Sequence, residues 1–391
     1  MNRPQLRFPE FEGEWEKKKF EDVIISIESG TSVNSIDQPI LNKLQYGILK
    51  TSCISKGEFF PNENKTIIDS EISRATLSPL KDSILVSRMN TPQLVGENGY
   101  IDKDYPNLFT PDRLWLLKTF PNYSARFLNY ILTTSNIRTI ISNIATGTSN
   151  SMKNISQPNF LSIESYFPIK PEQTKIASFL TAVDEKIQAL KKKHHLLEQY
   201  KKGVMQKLFS QEIRFKDKSG EDFPEWEVKK LGEVCEKKSS NISANKIVYN
   251  FGDYIIYGAA GVLKKVDFYE EEKDYVSIIK DGAGVGRIVY CVGKSSVLST
   301  MDIIKPKIKL NTYFLYCLLE NIDFTKYITG STIPHIYFKD YRNELCGIPS
   351  LPEQTAIANF LSNLDEKINQ TQRQIEKTEM WKKGLLQKMF C

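Results

Sequence analysis

The chain has 391 residues, 40% of them hydrophobic and 26% charged, with a net charge of +6. That length exceeds one ordinary core and predicts two globular units; no run of about 18 apolar residues is available to span a membrane, and no apolar leader precedes Trp15. The six cysteines show no CxxC spacing, which argues against a zinc ribbon or disulfide framework and fits a reducing cytoplasm, while charge leaves nucleic-acid binding open because 1–170 and 216–351 carry only +1 and 0.

The first variable stretch follows EWEKKKFEDV (14–23). β-branched and aromatic runs predict strands at 84–86 and 114–117, and 122–144 is expected to form one helix. A long helix is predicted over 174–209, because no proline occurs there and Gly203 is the one glycine. It opens on PEQT, where proline and an acidic residue suit the exposed N–H groups of a first turn. Apolar residues then recur in steps of four and three at Ile176, Leu180, Val183, Ile187, Leu190, Leu197, Val204 and Leu208, with polar breaks at His194 and Lys201. Such a seam predicts a coiled coil.

The second stretch opens on EWEVKKLGEV (225–234) and predicts strands at 254–257, 275–279 and 287–292, then a helix starting within 311–321. The chain closes on a second long helix over 355–390, with seam residues Ile357, Leu361, Leu364, Ile368, Ile375, Leu385 and Met389 and breaks at Thr371, Thr378 and Lys382. The two helices carry nearly the same sequence: PEQTKIASFLTAVDEKI (171–187) and PEQTAIANFLSNLDEKI (352–368) agree at 12 of 17 positions, and YKKGVMQKLF (200–209) matches WKKGLLQKMF (381–390). An internal duplication with a variable domain in each copy follows. Because one domain lies between the helices in sequence, an antiparallel pair with a pseudo-twofold repeat is the symmetric solution, each helix running roughly 54 Å. The seam alone is too small to offset the entropy of ordering both helices, so contacts from the domains or a partner are expected, with Phe179 and Phe360 as candidates. The expected fold class is α+β, with two mixed, strand-rich domains joined by two long helices.

The PEQT starts, the DEKI and KKGxxQK segments, TGT (146–148) and TGST (329–332) before the helices, and the segments TPDRLWLLK (110–118), YGAAGVLKKVDFY (257–269) and IIKDGAGVGRI (278–288) carry a family likeness. From Trp15 to Phe390 the chain resembles the specificity (S) subunit of type I restriction-modification systems. That resemblance implies target-recognition domains at 1–170 and 216–351, a central helix at 171–215 and a closing helix at 352–391. It also implies a non-catalytic, cytoplasmic, prokaryotic subunit that reads an asymmetric two-part site on double-stranded DNA. Its helices would set the spacing and dock two methylation (M) subunits. S-adenosylmethionine would then belong to those partners, and ATP and Mg to restriction (R) subunits, two where present. Half-sites about one helical turn apart, roughly 34–36 Å, suit a helix pair of that length.

Enzyme motifs fail on context. Gly282-Ala283-Gly284-Val285-Gly286 lacks the last glycine of a dinucleotide fingerprint and precedes a strand-like run, so a strand-turn-strand loop is expected. GxxxxGK[ST] and the Asn/Asp-Pro-Pro-Tyr/Phe segment of adenine methyltransferases are missing. His194 and His195 diverge on a helix, so a metal pair is not expected; His194 is read as a polar seam residue fixing register. No catalytic or metal residue is assigned. Base edges and phosphates call for Arg, Lys, Asn, Gln and hydroxyl side chains. The candidates are Arg88, Asn90, Gln93, Ser149 and Lys153 in the first domain, and Tyr257, Lys264, Lys280, Arg287, Thr332, His335 and Lys339 in the second. A free-standing DNA-binding regulator and a coiled-coil adaptor without a DNA role are the rival readings.

Overall fold

A computed structural model describes residues 3–42, 44–149 and 152–391, and the chain divides into two compact units: Met1–Ala189 with Ile375–Cys391, and Leu190–Gln374.

Unit 1 is built on an antiparallel sheet in the order Asn98–Ile101, Ser83–Ser87, Leu114–Thr119, Ile24–Ser29. The strand Ser83–Ser87 is buried along its whole length, as a continuous apolar run between two neighbours requires. A second sheet runs Leu108–Phe109, Gly47–Leu49, Asn64–Ile67, Ser35–Ile36. The expected helix over 122–144 is two helices, Ala125–Thr133 and Ser135–Ile144. Thr134 between them is extended, and the hydroxyls of Thr133 and Thr134 donate to the carbonyls of Tyr130 and Ile131. Side-chain bonds of that kind compete with helix continuation.

Unit 2 repeats the plan. Its main sheet runs Cys235–Ser239, Met301–Pro306, Tyr275–Ile279, Ile288–Cys291, again with a fully buried inner strand at Tyr275–Ile279. Gly261–Val266, Tyr254–Gly258 and Ser295–Val297 form the second sheet. The helix expected within 311–321 is Thr312–Glu320, whose first N–H groups bond to the Asn311 side chain.

The long helices are Lys170–Phe209 and Leu351–Met389. In unit 1, Ile176, Leu180, Val183 and Ile187 share one core with Leu385 and Met389. In unit 2, Ile357, Leu361 and Leu364 share the core with Met205 and Leu208. The start of each helix therefore lies beside the end of the other, an antiparallel pairing within each unit. Ile375 is buried, whereas Leu190, Leu197 and Ile368 are half-buried. The seam merges with the domain cores: Phe179 packs edge-on against Phe8 and Trp381, and Phe360 meets Phe215 with the rings tilted by 60°.

The polar breaks stay on the seam. Lys201 bonds Asp365 at 2.7 Å, and Lys382 lies 2.6 Å from Asp184. His194 lies 3.4 Å from Glu198 of its own helix.

The PEQ segments do more than start helices. Glu172 is fully buried and accepts from Arg7 through Nε and Nη2, both at 2.7 Å, and from Trp15 Nε1 at 3.2 Å. Glu353 accepts from Arg214 at 3.1 and 2.9 Å and from Trp226 at 3.1 Å. Gln173 donates to Pro168 O and accepts from Ser124 N–H; Gln354 does the same with Pro349 and Asn311. Ser124 and Asn311 are the N-caps of the domain helices. Each PEQ thus clasps the EWE segment and the domain helix to the long helix.

Candidate nucleic-acid interface

In unit 1 the buried strand Ser83–Ser87 emerges at Arg88, whose carbonyl accepts the Ile155 N–H at 2.9 Å and whose Nε donates to Asp112 O at 2.6 Å. The chain then pairs Met89–Asn90 with Met152–Asn154, setting Asn90 opposite Lys153, and Thr146–Ser149 completes a small sheet. Arg88, Asn90 and Lys153 are thereby brought together. Asn90 donates to Ser87 Oγ at 3.2 Å, and Lys153 Nζ to Gly147 O at 3.2 Å. Gln93 is exposed on the following turn, which Arg138 braces by donating to the Gln93 carbonyl at 3.0 Å. The Ser149 side chain lies outside the described residues.

Unit 2 builds the same framework from different residues. Tyr275–Ile279 emerges at Lys280, whose carbonyl accepts the Ile336 N–H at 2.9 Å, as Arg88 accepts that of Ile155. The glycine loop lies against the segment after the second TG: Gly282 N–H donates to Pro334 O at 2.9 Å, Asp281 bridges to His335, and His335 to Thr329. Gly282, Gly284 and Gly286 all have positive φ, between antiparallel strands rather than before a helix, so the expected strand-turn-strand loop is present. Arg287 is exposed and donates to Ala259 O at 3.1 Å. Thr332 and Lys339 are exposed, with Lys339 Nζ 5.3 Å from the Tyr337 ring, against which the His335 ring also packs.

Both TG glycines are sterically required. A Cβ on Gly147 would lie 2.4 Å from Met152 O, and one on Gly330, at φ +90°, 2.4 Å from Ile333 O.

Three of the sequence candidates make contacts within the fold. Tyr257 is buried and its hydroxyl accepts the Val292 N–H at 3.3 Å, so burial pushes its pKa up; a register shift between Ile256 and Tyr257 accompanies this inward placement. Lys264 donates to the carbonyls of Ile247 and Val248 at 2.8 and 3.1 Å and sits 4.1 Å from the Phe251 ring. Lys280 Nζ bonds buried Asp302 at 3.1 Å, leaving its backbone to hold the loop. The remaining basic side chains can present charge and donors to phosphates or base edges. Sequence reasoning missed the exposed apolar tips Leu41 and Leu44 before the strand Gly47–Leu49, and Tyr249 and Phe251 before Tyr254–Gly258. Large apolar residues among turn formers were the available signal.

Among the described residues, no helix is long and apolar enough to cross a membrane. Residues 12–199 and 224–379 match the family described as the type I restriction modification DNA specificity domain. The chain is 25% identical over 296 residues to the type I restriction enzyme MjaIX specificity subunit of Methanocaldococcus jannaschii, covering 68% of each. Its fold is similar to the crystal structure of a type I restriction-modification S subunit from M. genitalium, with a TM-score of 0.67 at 19% identity over 100% of this chain and 99% of the other. A chain from a study of complex assembly and conformational transition in the type I R-M system matches with a TM-score of 0.54 at 15% identity, covering 96% and 97%.

Proposed function

Since the chain belongs to the type I restriction-modification DNA specificity family, we propose that it is the sequence-reading subunit of such a system, each unit reading one half of an asymmetric two-part site. The observation that carries this reading is the duplicated framework. Arg88 and Lys280 close equivalent strands, and Ile155 and Ile336 dock equivalent loops, while the exposed side chains on those loops differ. A shared scaffold with different donors suits two readers of different sequences.

The chain itself carries no reaction in this reading. Two methylation subunits bring S-adenosylmethionine and methylate adenine, and restriction subunits, where present, bring ATP and Mg, all in a prokaryotic cytoplasm. The long helices supply the spacer and the docking surface for those subunits. Co-expression with the neighbouring adenine methyltransferase, followed by single-molecule mapping of methylated adenines, tests it. A two-part asymmetric motif that disappears when this chain is deleted, and changes in one half when 15–170 is exchanged, is the expected result. Unchanged methylation after deletion overturns it.

A further inference from the structure

The turn before Tyr254–Gly258 displays two aromatic rings to water, Tyr249 at 92% and Phe251 at 74% exposure. It is nonetheless braced. Asn250, between the two rings, donates from Nδ2 to Asp267 Oδ1 at 2.7 Å and accepts the Asp267 N–H at 2.9 Å. Gly252 lies against the same stretch, since a Cβ there would stand 2.4 Å from Val266 O. On the other flank Lys264 Nζ holds the carbonyls of Ile247 and Val248 and sits 4.1 Å from the Phe251 ring. Large apolar side chains held out together on a fixed turn mark a binding surface.

The neighbours say what kind of ligand fits. Lys246, Lys264 and Lys265 flank the rings, and aromatic faces set among cations suit stacked bases with their phosphates. Phosphate binding alone calls for cations and N–H donors, not for rings. The hairpin beside the turn also reaches a candidate base reader. Arg287 donates to Ala259 O, in the turn joining Tyr254–Gly258 to Gly261–Val266. Lys264 lies three residues beyond Gly261, roughly 10 Å along that strand. At about 3.4 Å per stacked base, this distance is about three base-pair steps. A duplex that meets Arg287 therefore passes within reach of Tyr249 and Phe251.

Resting on the reading of unit 2 as a half-site reader, we propose that Tyr249 and Phe251 form a stacking wedge. It enters the duplex at a base step a few pairs from the position that Arg287 meets. Insertion opens the stack and bends the DNA, so flexible steps such as TA or CA are favoured there without any contact to a base edge. Unit 2 thus selects its half-site by deformability as well as by direct contact.

The test uses the full chain with its cognate adenine methyltransferase and duplexes carrying the two-part motif obtained by methylation mapping. 2-Aminopurine is placed in turn along the half that stays constant when 15–170 is exchanged. Binding of the wild-type complex should change the emission at one step of that half. Tyr249→Ala should abolish the change and weaken binding about 5- to 100-fold, while Tyr249→Phe keeps both. Tm should not move, because Tyr249 is 92% exposed. Unchanged affinity and emission in Tyr249→Ala overturn the wedge and leave the specificity reading intact. Weaker binding with the emission change retained also overturns it, by assigning Tyr249 to the sugar-phosphate backbone. Loss of methyltransferase uptake by Tyr249→Ala without DNA, read by native mass spectrometry, overturns it by assigning the turn to a protein partner. A methylation motif independent of this chain overturns both the wedge and the reading beneath it.

Discussion

Lys201 and Asp365 meet at 2.7 Å across the helix seam of unit 2, and Tyr313 donates to the same carboxylate. In unit 1 Lys382 faces Asp184 at 2.6 Å in ion-pair contact, with Tyr130 donating to that carboxylate at 2.8 Å. The side chains of Lys201 and Asp365 are 12% and 25% exposed, so the pair is partly desolvated. Lys201→Met should destabilise unit 2 by about 1–3 kcal/mol, short of the roughly 3–5 kcal/mol of a fully buried pair. A double-mutant cycle with Asp365→Asn, read by urea unfolding, should give a coupling of about 0.5–3 kcal/mol. Coupling near zero would reduce the pair to a seam cover.

The PEQ clasp is expected to matter as much. Glu353→Ala leaves Arg214 with the Phe223 and Pro224 carbonyls but takes the acceptor from buried Trp226, and should cost about 1–3 kcal/mol, with Glu172→Ala similar through Arg7, which keeps the Glu12 and Gly13 carbonyls, and Trp15. Thermal unfolding of each variant measures this. A loss under about 1 kcal/mol would mean water replaces the clasp.

Glu320 offers a pH test. Glu320 stays exposed to solvent, yet the protein packed around its base partly desolvates it and raises its pKa above the ordinary value of 4.5, against the opposing charge of Lys201 and a bond with Tyr316, so the effect on stability is small. A carboxyl with a raised folded pKa holds its proton more tightly when folded, so its contribution is present in acid and lost as pH rises through the raised value. Glu320→Gln should therefore stabilise the protein at neutral pH, and its advantage should vanish as pH falls below 4.5. A gap that widens in acid would contradict the desolvation argument.

Arg287 and Lys339 should behave differently on DNA. If Arg287 reads a base, alanine there should cost about 1–3 kcal/mol and relax one position in one half of the target. Lys339→Ala should weaken binding uniformly and lower the salt slope by about 1. Methylation mapping together with salt-dependent binding separates the two. Identical sequence profiles for both variants would assign Arg287 to a phosphate.

Gly330→Ala should displace the 329–335 loop, because its Cβ would lie 2.4 Å from Ile333 O at φ +90°. The loop is largely exposed, so Tm should change little while recognition of one half-site falls. Gly261 has φ +103° but nothing within 4 Å of a Cβ, which makes Gly261→Ala the control for strain without a clash. Equal effects of both substitutions would show that strain alone decides.

Sequence made the regular parts visible wherever periodicity or a run encodes burial. The helix seam and the strands at 84–86, 114–117 and 275–279 are cases in which apolar spacing and fold agree. It made the loops visible through their glycines. What stayed hidden depended on partners far along the chain. Glu172 looks like a first-turn acid until Arg7 and Trp15, 165 and 157 residues away, arrive to bury it. Tyr257 and Lys264 looked like surface donors because composition does not say which way a side chain faces once a strand is irregular. The break at Thr134 was encoded locally, in a Thr-Thr-Ser run, but apolar periodicity on both sides masked it.

The two units also differ in when they can be completed during synthesis. Unit 2 is one continuous stretch, Leu190–Gln374, whereas unit 1 needs Ile375–Cys391 as well as Met1–Ala189. As the chain emerges from the ribosome, unit 2 can close while unit 1 still lacks Leu385, Met389 and Lys382. Unit 1 is made first and finished last. A message cut short before residue 375 would thus yield one closed reader beside one with an open core, a species that chaperones and proteases can distinguish from the complete protein.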